Sequence, residues 1–324
     1  MSQTVDATSM TPVRWTERAQ EIIRNYGIHI ALVVLIIVSA LLSPQFLSSR
    51  NISNMLLQAA PLGIVVIGQV LVILVRGLDL SVASVMATAA VVATSFNGQD
   101  SDALVVFAVA MAIGLATGWV NGLLITKRNV SPFLATLATM IVLQGMRFAY
   151  TQGAPSGNVP PFYRILGSQT FYGVPYNLLM LIVLAAVFSI VLHRTTFGRR
   201  IYITGGNPVA ARLVGINADR VTIACYVISG GLAALAGLIL SGFVGIVDNW
   251  VGRGFELDSI VAAVMGGVAL SGGRGSIVGG LVGAAILVVV FNAVLMIGFP
   301  IQFQIIIKGL VIVVAAAFYV RRVQ

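Results

Sequence analysis

Four ionisable side chains lie in or against apolar runs of the sequence: Asp79, Glu256, Asp258 and Lys308. Charge is expensive at such places and marks ion, proton or substrate pathways when it occurs. Asp79, Glu256 and Asp258 stand beside the starts of hydrophobic segments, where water or an N-terminal helix dipole holds a carboxylate cheaply. Asp79 and Asp258 therefore read equally well as acidic helix caps. Lys308 falls nearer the middle of its run. The chain of intramembrane carboxylates that a proton-coupled carrier would use is not written here. His29 and His193 are too far apart in sequence to suggest a metal site, and Cys225, alone in an apolar run, reads as a small core residue. No Ser/His/Asp spacing appears. Ser271-Gly-Gly-Arg274-Gly-Ser has the glycines of a phosphate loop without the Gly-x-x-x-x-Gly-Lys-Ser/Thr spacing. The reading is a chain with no catalytic residue, no metal and no cofactor of its own. If ATP drives it, a partner chain binds the ATP and magnesium.

These residues are embedded in an unusual composition. Of 324 residues, 58% are hydrophobic and only 9% charged, with a mean hydropathy of +1.01. A soluble domain is about one quarter charged, so this chain cannot clothe a water-facing surface. A bilayer core about 30 Å thick takes roughly 20 apolar residues per helix. That leaves room for about ten spans in an all-α membrane protein. A net charge of +9 would suggest nucleic acid in a soluble protein; here it points to basic loops on the cytoplasmic side, with no nucleic-acid partner. Residues 1–26 mix Arg14, Arg18 and Arg24 with Glu17 and Glu21. They read as a retained cytoplasmic tail, with a short interfacial helix around Trp15 to Arg24, ahead of a single transmembrane domain over 27–324.

The expected spans are 27–42, 55–75, 80–96, 104–125, 132–150, 174–193, 221–243, 257–270, 277–297 and 299–319. With the N-terminus cytoplasmic, the inside holds Arg14, Arg18, Arg24, Arg76, Lys127, Arg128, Arg194, Arg199, Arg200, Arg212, Arg220, Arg274, Arg321 and Arg322. The outside holds Arg50, Arg147, Arg164 and Arg253. That asymmetry favours an even number of spans with both termini cytoplasmic. Asp79-Leu-Ser-Val-Ala-Ser-Val-Met-Ala and Asp258-Ser-Ile-Val-Ala-Ala-Val-Met-Gly form a faint repeat, each preceded by Arg-Gly (Arg76-Gly77 and Arg253-Gly254). Five spans separate the copies, so they run in opposite directions, as in inverted-repeat transporters. Small residues such as Gly279, Gly280 and Gly283 indicate close helix packing.

The basic segment 194–220 is the most ordered loop. Asn207-Pro208 supplies a cap and a first-turn proline. Val209, Ala210, Leu213 and Val214 can share one face, and Gly215 can close the helix. A cytoplasmic helix too short to span reads as a docking surface. At this loop the chain resembles the permease subunits of bacterial ABC sugar importers of the ribose, xylose, arabinose and galactoside group. Three motifs carry the resemblance over roughly residues 45 to 320. The first is Gly77-Leu-Asp79-Leu-Ser81-Val82, with Ala83 where the family usually has glycine. The second runs from Gly198-Arg-Arg-Ile-Tyr-Ile-Thr-Gly-Gly206-Asn207 through Ala210-Ala211-Arg212-Leu213 to Gly215-Ile216. The third runs from Gly254-Phe-Glu256-Leu257-Asp258 through Gly266-Gly267 to Leu270-Ser-Gly-Gly273 and Gly275.

The resemblance implies two permeases, identical or sister chains, in the inner membrane of a bacterial cell. It also implies an ABC ATPase subunit and a periplasmic sugar-binding protein. Gly206, Asn207, Ala210, Arg212, Leu213, Gly215 and Ile216 would form the coupling helix. Arg50, Arg164 and Arg253 would meet acidic lobes of the binding protein. Gln69, Asn121, Gln144 and Asn292 would line the pathway, or equally serve as interhelical hydrogen-bond glue. A permease for branched-chain amino acids and an ion-coupled secondary carrier are the competing classes.

Overall fold

A computed structural model describes residues 15–155, 157–300, 302–306 and 309–310. Arg14, Lys308, Arg321, Arg322 and most of the expected span 299–319 lie outside the described residues. The chain folds as α1 (Trp15–Leu42), α2 (Ser49–Leu74), α3 (Val82–Thr94), α4 (Ala103–Lys127), α5 (Pro132–Thr151) and α6 (Pro161–Ser168). A hairpin of β1 (Thr170–Phe171) and β2 (Val174–Pro175) follows, then α7 (Tyr176–Arg194), α8 (Thr196–Gly206) and α9 (Pro208–Leu213). The bundle closes with α10 (Ala218–Val244), α11 (Phe255–Met265) and α12 (Ile277–Met296).

Helix starts follow local chemistry. Ser48, Ser131, Asn217 and Ser276 each cap a long helix by accepting an N–H from its first turn, and Pro132 opens α5. Among the described residues, α2, α4, α5, α7, α10 and α12 are long and apolar enough to cross a membrane. Gly27–Leu42 and α3 are shorter apolar helices.

The layers are set by small residues as much as by hydropathy. Every residue from Ala60 to Leu74 of α2 is buried, and α10 is buried over most of its length. These two helices form the centre. On one side α10 packs against α3 and α4; on the other α2 packs against α11 and α12. Close approach is possible because glycines sit at the crossings. A Cβ at Gly122 of α4 would come 2.8 Å from Ile223 Cα, and one at Gly68 of α2 would come 2.9 Å from Ser229 Cα. Gly279 and Gly283 of α12 lie on the main chain of Gly266 and Ala262, at the end of α11, in the same way. Helices α4, α5 and α7 keep most of their surface outward.

Several boundaries differ from the sequence expectation, each for a local reason. Residues 75–81 stay irregular and α3 begins only at Val82, because the Asp79 side chain bonds the main chain ahead of it. Helix α11 stops at Met265, where Gly266-Gly267 turns the chain and Gly267 takes φ 84°. Residues 194–220 hold two helices, α8 and α9, rather than one. The Trp15–Arg24 segment is the first part of the unbroken α1 rather than a separate interfacial helix.

Candidate functional site

The first motif lies at the heart of the bundle. Asp79 is fully buried, and its Oδ1 accepts from the Ser81 N–H (3.0 Å) and the Ser81 hydroxyl (2.6 Å). Its Oδ2 accepts from the Ser229 hydroxyl of α10 at 2.8 Å. The Asn121 amide of α4 donates to Ser81 Oγ at 2.9 Å, and Thr139 of α5 donates to Asn121 Oδ1 at 2.6 Å. Turned so that its oxygen faces the Asp79 N–H, the Gln69 amide of α2 makes two bonds to the Asp79 main chain, at 3.1 and 3.2 Å. Thr136 and Tyr226 both donate to the Leu78 carbonyl, at 3.3 and 3.2 Å. Gln69, Asp79, Ser81 and Asn121 thus meet in one buried network joining five helices. In this conformation their polar atoms are turned to one another, as in interhelical glue.

The residues just ahead of the first motif then meet the second and third motifs at one end of the bundle. Arg76, in the left-handed region at φ 66°, donates through Nε to the Gly205 carbonyl at 2.6 Å and through Nη2 to the Gly206 carbonyl. A guanidinium there satisfies the last carbonyls of α8 and complements its dipole. The Gly273 N–H donates to the Leu74 carbonyl at 2.9 Å, and the Tyr202 hydroxyl donates to the Gly275 carbonyl at 2.8 Å. Burial pushes the Tyr202 phenol above its ordinary range, so it remains a donor. The end of α2, the end of α8 and the loop after α11 are therefore bonded directly to one another.

Outward from this junction stands α9. Asn207 Oδ1 accepts from the N–H groups of Val209 and Ala210, at 3.0 and 3.1 Å. Gly215 takes φ 78°, and Ile216 N–H returns to the Ala211 carbonyl at 2.9 Å. Ala211 is buried against the bundle, whereas Val209, Leu213 and Val214 are exposed, Leu213 at 83%. Gly206, Asn207, Ala210, Arg212 and Gly215 are also exposed, with Ile216 half-buried. Arg212 and Lys127 both pair with Asp219 at the start of α10, at 3.0 and 2.7 Å, which ties the flank of α9 to the ends of α4 and α10.

The remaining expected residues are spread over the fold. Glu256 is half-buried and accepts the Gly254 N–H at 2.8 Å; Asp258 is buried in the first turn of α11. Asn292 of α12 and Asn51 of α2 exchange two amide bonds of 2.9 Å. Gln144 is half-buried on α5, away from the Asp79 network. Arg50, Arg164 and Arg253 are exposed, and Arg253 lies 4.8 Å over the Trp250 ring.

Sequence reasoning counted Arg147 only as a charge, and Arg76 as a charge and as part of the Arg-Gly pair ahead of the repeat. Arg147 is buried at the far end of α5, donating to the carbonyls of Ser84 (3.2 Å) and Asn249 (2.9 Å) and to Thr88 Oγ1 (3.3 Å). Its position in an apolar run was the available signal. Ser229 and Thr139 carried none, since isolated hydroxyls are common in membrane helices.

Residues 51–316 match the family model described as branched-chain amino acid transport system / permease component. The ribose import permease protein RbsC of Escherichia coli K12 is 40% identical over 292 residues, 88% of this chain and 90% of the relative. The RbsC of Bacillus subtilis 168 is 37% identical over 296 residues, 91% and 92% of the two chains. The chain belongs to the import permease family of ABC transporters. Within that family, the L-arabinose ABC transporter permease protein AraH of Azospirillum brasilense is 32% identical over 310 residues, 96% of this chain and 91% of the relative. No solved structure matches the permease. All three motifs and the Asp79 network fall inside the matched residues, as does α9. A permease of this family is a transport subunit of the bacterial inner membrane rather than an ATPase.

Proposed function

We propose that this permease forms the membrane pathway of an ABC importer for a monosaccharide or similar polar carbohydrate, with α9 as the element that couples it to a separate ATPase. The observation that carries this reading is the exposed apolar tip of α9, Val209, Leu213 and Val214. Gly205 and Gly206, just ahead of α9 in the chain, are bonded to Arg76, which directly precedes the first motif. A push on α9 is delivered to α2, α3 and the α11 loop as one unit. The sugar class is supported by the ribose, galactose and arabinose permeases among the relatives. The family model's description covers amino acids as well, but relatives at 32–40% identity that transport sugars favour sugar over branched-chain amino acids. An Asp79 carboxylate already engaged by three donors does not favour the ion-coupled carrier.

In this reading ATP and magnesium stay with the ATPase, and a second permease, identical or sister, completes the pathway. A periplasmic binding protein delivers the sugar near Arg50, Arg164 and Arg253. The six long helices, the apolar 27–42 segment, α3, the half-length α11 and the expected span 299–319 make ten membrane elements. Both termini and the 194–220 segment are cytoplasmic, in keeping with the distribution of Lys and Arg. The exchange of partners, α10 with α3 and α4 against α2 with α11 and α12, supports two inverted halves.

The test is affinity purification from detergent-solubilised membranes, comparing wild type with Ala210→Glu/Arg212→Glu. A Walker-motif ATPase that copurifies with the wild type and is lost from the folded double variant supports the assignment. Sugar uptake by the purified permease alone in liposomes, without any ATPase, would show it to be wrong.

A further inference from the structure

The hairpin between α6 and α7 belongs to none of the three motifs, and its geometry is unusual. β1 and β2 pair antiparallel, with Phe171 opposite Val174, so Tyr172-Gly173 is a two-residue loop. Both loop residues have positive φ, 49° and 84°. Such a turn takes glycine readily at its second position, but its first position belongs to Asn, Asp or Gly. An aromatic side chain there is disfavoured on steric grounds. Among the described residues the Tyr172 ring meets only the ring of its neighbour Phe171 and stays 93% exposed, so burial does not offset the strain.

The tip is also chemically uniform. Phe171 and Tyr172 meet edge to face with centroids 4.6 Å apart, and Phe171 lies 6.2 Å from Tyr176. Phe171 and Val174 are exposed as well, and residues 168–176 include no charged side chain. This strip leads directly into the outward face of α7, where Leu179, Ile182, Val183, Val187 and Ile190 are exposed at helical spacing. In a membrane helix that face meets acyl chains.

We propose that the Phe171–Tyr172 tip is a membrane anchor, seated in the headgroup and glycerol zone of the bilayer at the end opposite α8 and α9. Phe171 meets the upper acyl chains, and the Tyr172 hydroxyl meets phospholipid ester and headgroup oxygens. Aromatic rings with one polar end partition to this zone. The occupant is lipid rather than a soluble protein because the patch is neutral and continuous with the lipid-facing stripe. A surface that must bind and release a soluble partner is instead expected to carry a charged rim. The anchor would hold the start of α7 at a fixed depth while the junction around Arg76 moves. The inference needs only that the permease sits in a bilayer, and is independent of the solute carried.

The test uses the full-length permease with Cys225→Ala and single spin-labelled cysteines at Tyr172→Cys, Val183→Cys or Gln99→Cys. The Gln99 site is an exposed control at the same end, since neighbouring Asp100 accepts the Phe162 N–H of α6. In phosphatidylethanolamine/phosphatidylglycerol vesicles, the label at 172 is expected to collide with oxygen in preference to a water-soluble nickel chelate, resembling 183 rather than 99. A label at 172 as open to the chelate as 99, or shielded only when a soluble binding protein is added, overturns the proposal. Tyr172→Asn provides a second arm, since asparagine suits the turn and preserves the hairpin. Its melting temperature in detergent should equal or exceed wild type, while the upward shift on transfer into lipid nanodiscs should shrink. An undiminished shift would likewise overturn the anchor.

Discussion

Arg76 performs two tasks that pull against each other. Its backbone sits at φ 66°, which costs an L-residue about 1–2 kcal/mol, while its guanidinium binds the last two carbonyls of α8. Arg76→Gly separates them, relieving the backbone and removing the donors. The variant should fold and bind the ATPase, yet ATP-driven uptake in proteoliposomes should fall by about tenfold or more, the effect of ~1.4 kcal/mol of lost coupling. Asp79 presents the contrasting case of a buried acceptor. Asp79→Asn retains one oxygen for the Ser81 donors and should lose roughly 1–2 kcal/mol of stability, whereas Asp79→Ala strands the Ser81 and Ser229 donors and should lose more. Thermal unfolding in detergent should rank wild type above Asn and Asn above Ala. A reversed order would mean that the carboxylate serves the pathway at the expense of the fold.

Helix pairs here depend on how closely their backbones approach. In lipid the acyl chains are as apolar as leucine, so a helix gains little by exchanging lipid for another large apolar side chain. Gly114 and Gly118 of α4 face the main chain of α10 at Gly230 and Tyr226, with no room for a Cβ. Gly118→Leu is therefore expected to abolish accumulation of folded permease, as judged by size-exclusion profile. Gly145→Ala on α5 meets nothing within 4 Å and should be neutral or slightly stabilising. Helix α9 follows a different logic, since its large apolar residues Val209 and Leu213 are outward. Leu213→Asp should leave the melting temperature unchanged and eliminate ATPase copurification.

Viewed whole, the permease is a pair of central helices, each clasped by elements from the other end of the chain. This arrangement gives α2 and α10 equivalent surroundings and brings Arg76, α8 and the third motif to a single junction. It also leaves exposed positions at both ends of the bundle. In intact cells a cysteine replacing Leu213 should be protected from a membrane-impermeant maleimide, and one replacing Gln99 should react. The opposite pattern would invert the charge-based topology. The two predictions use exposed positions on different ends of the bundle, so misfolding would not produce the expected pair of results.

Much of this was legible in the amino-acid order. The apolar runs, the Ser, Asn and Pro caps and the basic 194–220 segment located the long helices and α9, because hydropathy and capping act over a few residues. Asp79, Gln69 and Asn121 were each singled out as polar residues beside or within membrane segments, and Ser81 as part of the first motif. That they share one network was not legible, since their partners lie on five helices and pairing depends on three-dimensional approach. The half-length of α11, the second helix before α9 and the delayed start of α3 were likewise decided by contacts, chiefly glycine turns and side-chain bonds to the main chain. Nor could hydropathy tell the buried α2 and α10 from the outward α4 and α7, because lipid and protein interior are equally apolar solvents. Composition and local pattern made this chain a membrane bundle with a short exposed helix in a basic loop. Tertiary packing alone decided which helices stand at its centre, and joined Arg76 to α8 across about 130 residues of sequence.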